Sequence, residues 1–171
     1  VDVPGYAALL LRRSYTDLAL PGALMDRAKS WLLPQDATWK EAAKTWTFPS
    51  GATLSFGYLE HGGDEYRYQS TEFQFIAFDE LTQFEESAYR YLFSRLRRTA
   101  SVDVPLRMRA ASNPGGIGHE WVRSRFIDSG PDDEARFFVP ARLPDNPHLD
   151  QDAYLASLEQ LDPVTRQQLL H

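Results

Sequence analysis

Two adjacent acidic residues follow a short apolar segment near the middle of the chain. Asp79 and Glu80 come directly after residues 73–78, which are predicted to form a strand buried inside a parallel sheet. Open α/β folds hold their ligands at the carboxyl ends of such strands. Phosphoryl transfer needs one acid that holds the Mg²⁺ on the nucleotide phosphates and another that orients the attacking water. This chemistry would assign the first role to Asp79 and the second to Glu80.

The same segment also has a purely structural interpretation. Asp79 could simply lead into the next helix, and Glu80 could be a solvated acid at the surface. Short apolar runs that end in Asp-Glu are frequent by chance. The pair alone therefore does not decide between the two interpretations.

A second polar tip follows the next predicted strand. Residues 106–111 are predicted to form that strand. It is followed directly by Ser112, Asn113 and Pro114, and then by two glycines. Because parallel strands end at the same edge of a sheet, this tip is expected near the acidic pair. Ser112 and Asn113 can donate or accept hydrogen bonds without charge, which suits the sensing of a γ-phosphate. The alternative is an ordinary turn capped by asparagine.

The elements that must position these tips alternate between strand and helix. Residues 7–11 are apolar throughout, which predicts a strand buried on both faces. The spacing of Leu24, Ala28 and Leu32 predicts a helix that ends before a proline. Period-two alternation of aromatic and aliphatic residues then predicts a β-hairpin over residues 46–56.

Helices are predicted after each polar tip. Thr82 and Glu85 have the spacing of a capping box, and apolar residues repeat every fourth position on one helical face: Phe84, Ala88, Leu92 and Leu96. Another helix follows the Ser-Asn-Pro tip, and a further strand is predicted at residues 137–139. Two short helices close the chain, the second entered through Asp162 and Pro163. This alternation is typical of an α/β fold.

Composition limits the remaining possibilities. Hydrophobic residues make up 43% and aromatic residues 13% of the 171 residues, well above what a disordered chain carries. No apolar run is long enough for a membrane span or a signal peptide, so we expect a soluble, intracellular protein. The chain has no cysteine, which excludes disulfides, thiol catalysis and cysteine zinc sites. With a net charge of −6, any contact with DNA must be local.

The motifs together resemble the ATPase domain of phage terminase large subunits, the motors that package double-stranded DNA. The resemblance covers nearly the whole chain, in segments that keep the order of that family: residues 10–15, 46–51, 66–69, 75–84, 106–120 and 145–147. It implies that Asp79 and Glu80 are the Walker B pair, with ATP and Mg²⁺ as cofactors. It also implies that Ser112, Asn113 and Pro114 couple hydrolysis to movement.

The resemblance carries expectations about fold and partners. The implied fold is α/β, of the additional-strand, RecA-like P-loop NTPase type: a mostly parallel sheet flanked by helices, with a β-hairpin insertion and a helical C-terminal piece. Residues 1–140 would be the ATPase core, and 141–171 a linker or helical subdomain leading towards a nuclease domain. The implied partners are double-stranded DNA, the small terminase subunit and a homo-oligomeric ring on the portal. The expected location is the cytoplasm of an infected bacterial host, with no membrane contact.

Arg67 precedes the strand that carries the acidic pair. Such motors are thought to place an arginine there that reaches the nucleotide of a neighbouring subunit, because a guanidinium stabilises the charge on the transferred phosphoryl group. The alternative is a local ion pair with Glu65 or Glu72.

One motif of the family does not occur in this sequence. The phosphate loop has the pattern G-x-x-x-x-G-K-[ST], but none of Lys29, Lys40 and Lys44 follows a glycine. We therefore expect that this chain starts after the phosphate loop of the family and stops before its nuclease domain. Such a chain would have an unpaired sheet edge and would by itself neither bind ATP tightly nor hydrolyse it.

Two other functions stay open on the sequence alone. One is a helicase-like P-loop ATPase, although the hairpin and the Ser-Asn-Pro-Gly-Gly segment favour a terminase. The other is a non-catalytic prophage remnant or assembly fragment. The acidic run Asp132, Asp133 and Glu134 is expected to be a solvated loop rather than a metal site.

Overall fold

A six-stranded mixed sheet forms the centre of the structure. The computed structural model describes residues 2–99, 102–128 and 135–170. The strands are β1 (Ala7–Arg12), β2 (Thr38–Lys40), β3 (Thr45–Thr47), β4 (Thr53–Tyr58), β5 (Phe75–Asp79) and β6 (Arg107–Ala111). Their order across the sheet is β2-β3-β4-β1-β5-β6. The four strands from β4 to β6 run parallel, whereas β2 and β3 are antiparallel to their neighbours.

Six helices accompany the sheet within these ranges. They are α1 (Tyr15–Ala19), α2 (Leu24–Leu32), α3 (Glu86–Phe93), α4 (His119–Phe126), α5 (Gln151–Leu158) and α6 (Pro163–Leu170). Short 3₁₀ turns cover Leu33–Gln35, Asp64–Tyr68, Leu81–Gln83 and Leu143–Asp145. None of the helices in the described ranges combines the length and apolar character needed to cross a bilayer.

The central strand β1 sends alternate side chains into two separate hydrophobic clusters. Leu9 and Leu11 are buried in a cluster that also contains residues of α3 and α4. Leu10 packs against a second cluster, which contains Leu18 of α1 and Met25 of α2. Successive residues of a strand point to opposite faces, so an unbroken apolar run is required where both faces are covered. The interior position predicted for this strand is confirmed.

The predicted hairpin is confirmed and extended. β3 and β4 pair antiparallel, with Trp46 opposite Leu54, and β4 then pairs in parallel with β1. The sequence did not reveal β2, which has only three residues and packs one side chain, Trp39, against Trp46 at a ring distance of 5.2 Å. A strand this short has too little alternation to be recognised as a period of two.

Two local expectations were wrong. Thr82 does not cap α3; that helix begins at Glu86, after Glu85 at its N-cap, because the Thr82 hydroxyl is bonded elsewhere. Residues 137–139 form no strand: they are exposed and pair with no strand in the described part of the chain. At the end of the chain, Asp162 accepts hydrogen bonds from the backbone of the first turn of α6, as predicted for an N-cap. The acidic run 132–134 lies outside the described residues.

Gly57 in β4 marks a close approach between two elements. A Cβ added there would overlap the hydroxyl oxygen of Tyr68 and would lie 3.0 Å from Cδ2 of Leu11. Burial raises the pKa of Tyr68 to about 12, which reflects how little solvent reaches this phenol. The 3₁₀ turn that carries Tyr68 can pack onto the sheet because position 57 has no side chain.

The strand β6 is at the edge of the sheet and has an unpaired outer side within the described residues. Arg107, Arg109, Ala110 and Ala111 are all exposed. This is unusual, because parallel strands are normally covered on both faces. β6 therefore lies uncovered at an edge of the sheet in the part of the chain that the structure describes.

Candidate functional site

The carboxyl edge of the sheet brings the two predicted tips together. β5 and β6 are parallel neighbours with Asp79 opposite Ala111, so the acidic pair and the residues that follow β6 leave the sheet side by side. β1 is the neighbour of β5 on its other side and ends at Arg12. The edge therefore presents a cation, two carboxylates and a polar loop on adjacent strands.

Asp79 forms an ion pair with Arg12. The Nε atom of Arg12 lies 2.7 Å from Oδ2 of Asp79, and both side chains are partly buried. The Nε–H is not aligned for a hydrogen bond to any described group, so the contact is electrostatic rather than directional. It is a consequence of register, since Leu11 pairs with Phe78 and the next residues of both strands become neighbours. The role of Arg12 could not be predicted from the sequence, because only this register places it beside the acid.

The residues present fit a metal carried by a nucleotide rather than a metal site built entirely from protein. Within the described ranges, no group of three acidic, histidine or cysteine side chains lies close enough to hold an ion. Mg²⁺ in nucleotide sites is bound through one or two carboxylates together with phosphates and water. Asp79, at the end of a strand and partly exposed, could supply such a carboxylate, and the ion would neutralise charge that develops on the phosphates.

Glu80 has a strained backbone. Its φ of 57° and ψ of 58° lie in the left-handed region, which costs a residue other than glycine about 1–3 kcal/mol. The bend starts the 3₁₀ turn, in which Gln83 N–H donates to the carbonyl of Glu80 at 2.9 Å. It also sends the carboxylate towards the tip of β6, where Oε2 accepts a hydrogen bond from Asn113 N–H at 3.3 Å. The second acid is thus oriented by the chain rather than free in solvent.

The residues of the β6 tip have different environments. The Ser112 hydroxyl lies 2.7 Å from the hydroxyl of Thr82 and accepts a hydrogen bond from Thr82 N–H at 3.1 Å. The side-chain amide of Asn113 makes no hydrogen bond to any described residue, and both Asn113 and Pro114 are exposed. Asn113 is therefore the residue of this tip whose side chain is available to a ligand.

Arg67 is held at the end of β4. Its Nη2 atom lies 2.7 Å from Oδ2 of Asp64 and donates to the carbonyl of Tyr58 at 3.2 Å. Its guanidinium also stacks on the Tyr58 ring at 4.9 Å. The ion pair of Arg67 is therefore with Asp64, and not with Glu65 or Glu72 as the alternative interpretation predicted. Glu72 forms its ion pair with Arg97.

Asp64 is well suited to hold this arginine. Hydrogen bonds from the backbone N–H groups, that of His61 above all, hold the pKa of Asp64 below its ordinary value, and the charge of Arg67 adds to the effect. β1 lies between β4 and β5, so Arg67 is at the same edge as Asp79 without contacting it. Its side chain is 47% exposed.

The fold matches solved structures of phage large terminases. The large terminase of a thermophilic bacteriophage (crystal form 2) superposes with a TM-score of 0.73 at 18% identity, covering 98% of this chain and 40% of that one. The same terminase in complex with ADP (crystal form 3) gives a TM-score of 0.70, also at 18% identity and with the same coverage. At this identity the likeness concerns the fold, and this chain spans about 40% of the length of those structures.

The superposition confirms the predicted fold class, a mostly parallel α/β sheet flanked by helices. None of the curated protein sequences matches this one significantly. The family described as "Terminase large subunit, T4likevirus-type, N-terminal" matches residues 8–171. Because that match covers nearly all of the sequence, this chain belongs to the family of phage terminase large subunits.

Proposed function

We propose that this chain provides the Walker B and coupling part of an ATP-driven motor that packages double-stranded DNA into a phage capsid. The observation that carries the proposal is the contact between the two strand ends: Glu80, bent out of β5 in a left-handed conformation, accepts a hydrogen bond from the backbone of Asn113. An acid joined in this way to a neighbouring loop can report the state of a bound phosphate to the rest of the fold.

Each residue of the edge has a proposed role. Asp79 supplies a carboxylate to the Mg²⁺ that accompanies ATP, and Arg12 holds that carboxylate in place from the neighbouring strand. Glu80 orients and activates the attacking water. Asn113 senses the γ-phosphate with its open side chain, while Ser112 and Pro114 set the shape of the loop. The ADP complex of the thermophilic phage terminase supports nucleotide binding by this fold.

The proposed partners are those of a packaging motor. They are double-stranded DNA, further copies of the same chain in a ring on the portal, and the small terminase subunit, in the cytoplasm of the infected bacterium. Family membership supports this assignment.

The proposal is tested by measuring ATP hydrolysis by the full-length protein. The rate is measured with and without double-stranded DNA, and after Mg²⁺ has been removed with a chelator. We expect hydrolysis that requires Mg²⁺ and rises when double-stranded DNA is added. Stimulation by single-stranded DNA instead would favour the helicase-like alternative. Absence of hydrolysis under all conditions would favour a non-catalytic remnant.

We also propose that Arg67 acts on the nucleotide of a neighbouring subunit. Its guanidinium is about half exposed and is fixed by Asp64 and Tyr58, so it can be presented at a subunit boundary without a large loss of side-chain freedom. Arg67→Ala is expected to lower kcat about 10³-fold, the lower end of what such arginines contribute.

Mixing two inactive variants separates action between subunits from action within one subunit. A ring that contains both Arg67→Ala and Glu80→Gln subunits has boundaries where an intact Arg67 faces an intact Glu80. We expect such mixtures to regain hydrolysis that neither variant has alone. Arg90→Ala is the control, because Arg90 is an exposed arginine paired with Glu86 on α3. Mixtures no more active than the separate variants would exclude a role across the boundary.

A further inference from the structure

Thr82 is a buried polar residue that the proposed reaction does not use. It lies in the 3₁₀ turn directly after the acidic pair and is 6% exposed. Its spacing suggested a helix cap, but its hydroxyl is turned away from α3 towards the loop that follows β6. A buried hydroxyl that lacks its partners costs about 1–3 kcal/mol, so the bonds that Thr82 makes are a requirement of the fold and not incidental.

One side of Thr82 binds the tip of β6. Its hydroxyl donates to the carbonyl of Asn113 at 3.0 Å and lies 2.7 Å from the Ser112 hydroxyl. Its N–H donates to the same Ser112 oxygen at 3.1 Å. Either hydroxyl can be the donor in the contact between Thr82 and Ser112, and the Ser112 hydroxyl also lies 3.1 Å from the Asn113 carbonyl, to which it can donate. Backbone and side chain of one residue thus fix both Ser112 and Asn113.

The other side of Thr82 binds the end of the same loop. The carbonyl of Thr82 accepts a hydrogen bond from Gly118 N–H at 2.7 Å. A Cβ added to Gly116 would lie 2.6 Å from that carbonyl oxygen, so the approach depends on glycine. Close by, the indole N–H of Trp121 in α4 donates to the carbonyl of Phe84 at 2.8 Å. The loop is therefore attached to the 3₁₀ turn at its beginning and at its end.

We infer that Thr82 is a positioning residue that keeps the Asn113 backbone within reach of the Glu80 carboxylate and makes residues 81–83 and 112–118 move as one unit. This inference rests on the proposed function. Without the Thr82 hydroxyl, the Asn113 carbonyl would lose its hydrogen bond from Thr82, and the 3.3 Å bond from Asn113 N–H to Glu80 would lose that support.

The same unit reaches two helices. Trp121 connects it to α4 through Phe84. On the other side, a Cβ added to Gly115 would lie 2.8 Å from the side-chain nitrogen of Gln168 in α6.

The test compares Thr82→Val with Thr82→Ser in the protein as encoded. Valine keeps the shape of threonine and removes the hydroxyl, whereas serine keeps the hydroxyl. We expect Thr82→Val to lower kcat for ATP hydrolysis about 10- to 100-fold, with KM nearly unchanged, because a misplaced reacting group affects the chemical step. Thr82→Ser is expected to restore most of the rate. Thr71→Val is the matched control, since it removes a partly buried threonine hydroxyl bonded at 2.8 Å to a carbonyl elsewhere.

Amide hydrogen exchange supplies a readout that does not depend on hydrolysis. Thr82→Val should speed exchange of the Asn113 and Gly118 amides, while Thr71→Val should leave both unchanged. Exchange and kcat in Thr82→Val equal to those of the wild-type protein would overturn the inference. The inference would also be overturned if Thr82→Val and Thr82→Ser lowered the stability of the protein and kcat by equal amounts. Failure of the wild-type protein to hydrolyse ATP would instead count against the proposed function.

Discussion

Glu80→Gln is expected to lower the rate of ATP hydrolysis about 10³-fold, the middle of the range for a general base, while nucleotide binding persists. Glutamine removes the negative charge that would take a proton from the attacking water. It keeps an amide oxygen that can still accept the hydrogen bond from Asn113 N–H, so the geometry of the two strand ends is preserved. The change therefore isolates the chemical role of the carboxylate from its structural role.

Single-turnover hydrolysis and the binding of a fluorescent nucleotide are the two measurements for this variant. Glu80→Ala removes the hydrogen-bond acceptor as well as the charge, so it should lose hydrolysis and also loosen the loop after β6. Glu120→Gln is the control, because Glu120 is an exposed acid in the first turn of α4. Hydrolysis by Glu80→Gln at a rate close to wild type would refute the water-activating role.

Gly57→Ala is expected to lower the free energy of unfolding by about 3 kcal/mol, near the upper end of what overpacking usually costs. The added methyl group would overlap the hydroxyl oxygen of Tyr68, and β4 is held in place at this position because Gly57 is paired with Leu11 of β1. Removing that oxygen should relieve most of the overlap. The double variant Gly57→Ala, Tyr68→Phe is therefore expected to be more stable than Gly57→Ala alone.

Urea denaturation of the two single variants and the double variant gives the coupling between these positions. Gly62→Ala is the matched control, since a Cβ added there has nothing within 4 Å. Additive effects of Gly57→Ala and Tyr68→Phe would mean that the two groups do not clash in the folded protein.

The positions of the strand ends in the fold could be predicted from the sequence, because each depends on a local sequence pattern. Residues 7–11 are apolar without interruption and occupy the centre of the sheet. Asp79 is the last residue of β5 and Asn113 comes two residues after the end of β6, so placing both at one edge required only that the strands be parallel. For these residues, a pattern of a few neighbours was sufficient to predict a position in three dimensions.

The contacts of Arg12 and Thr82 could not be predicted from a local sequence pattern. The ion pair of Arg12 with Asp79 depends on the register between two strands far apart in the sequence, and no local pattern encodes a register. Thr82 had the spacing of a capping residue, but a competing set of partners on the β6 loop took its hydroxyl. For Thr82 a long-range contact overrode the local preference.

Within the described residues the outer side of β6 is unpaired, which has a consequence for how the 171-residue chain would behave by itself in solution. An unpaired strand edge is a template for the edge of another molecule. Arg107 and Arg109 are two residues apart on it, so their side chains leave the same face of the strand. Two molecules that approach through this edge would bring like charges together, and that repulsion is screened as ionic strength rises. Low salt should therefore keep the molecules apart, and concentrated salt should promote their self-association.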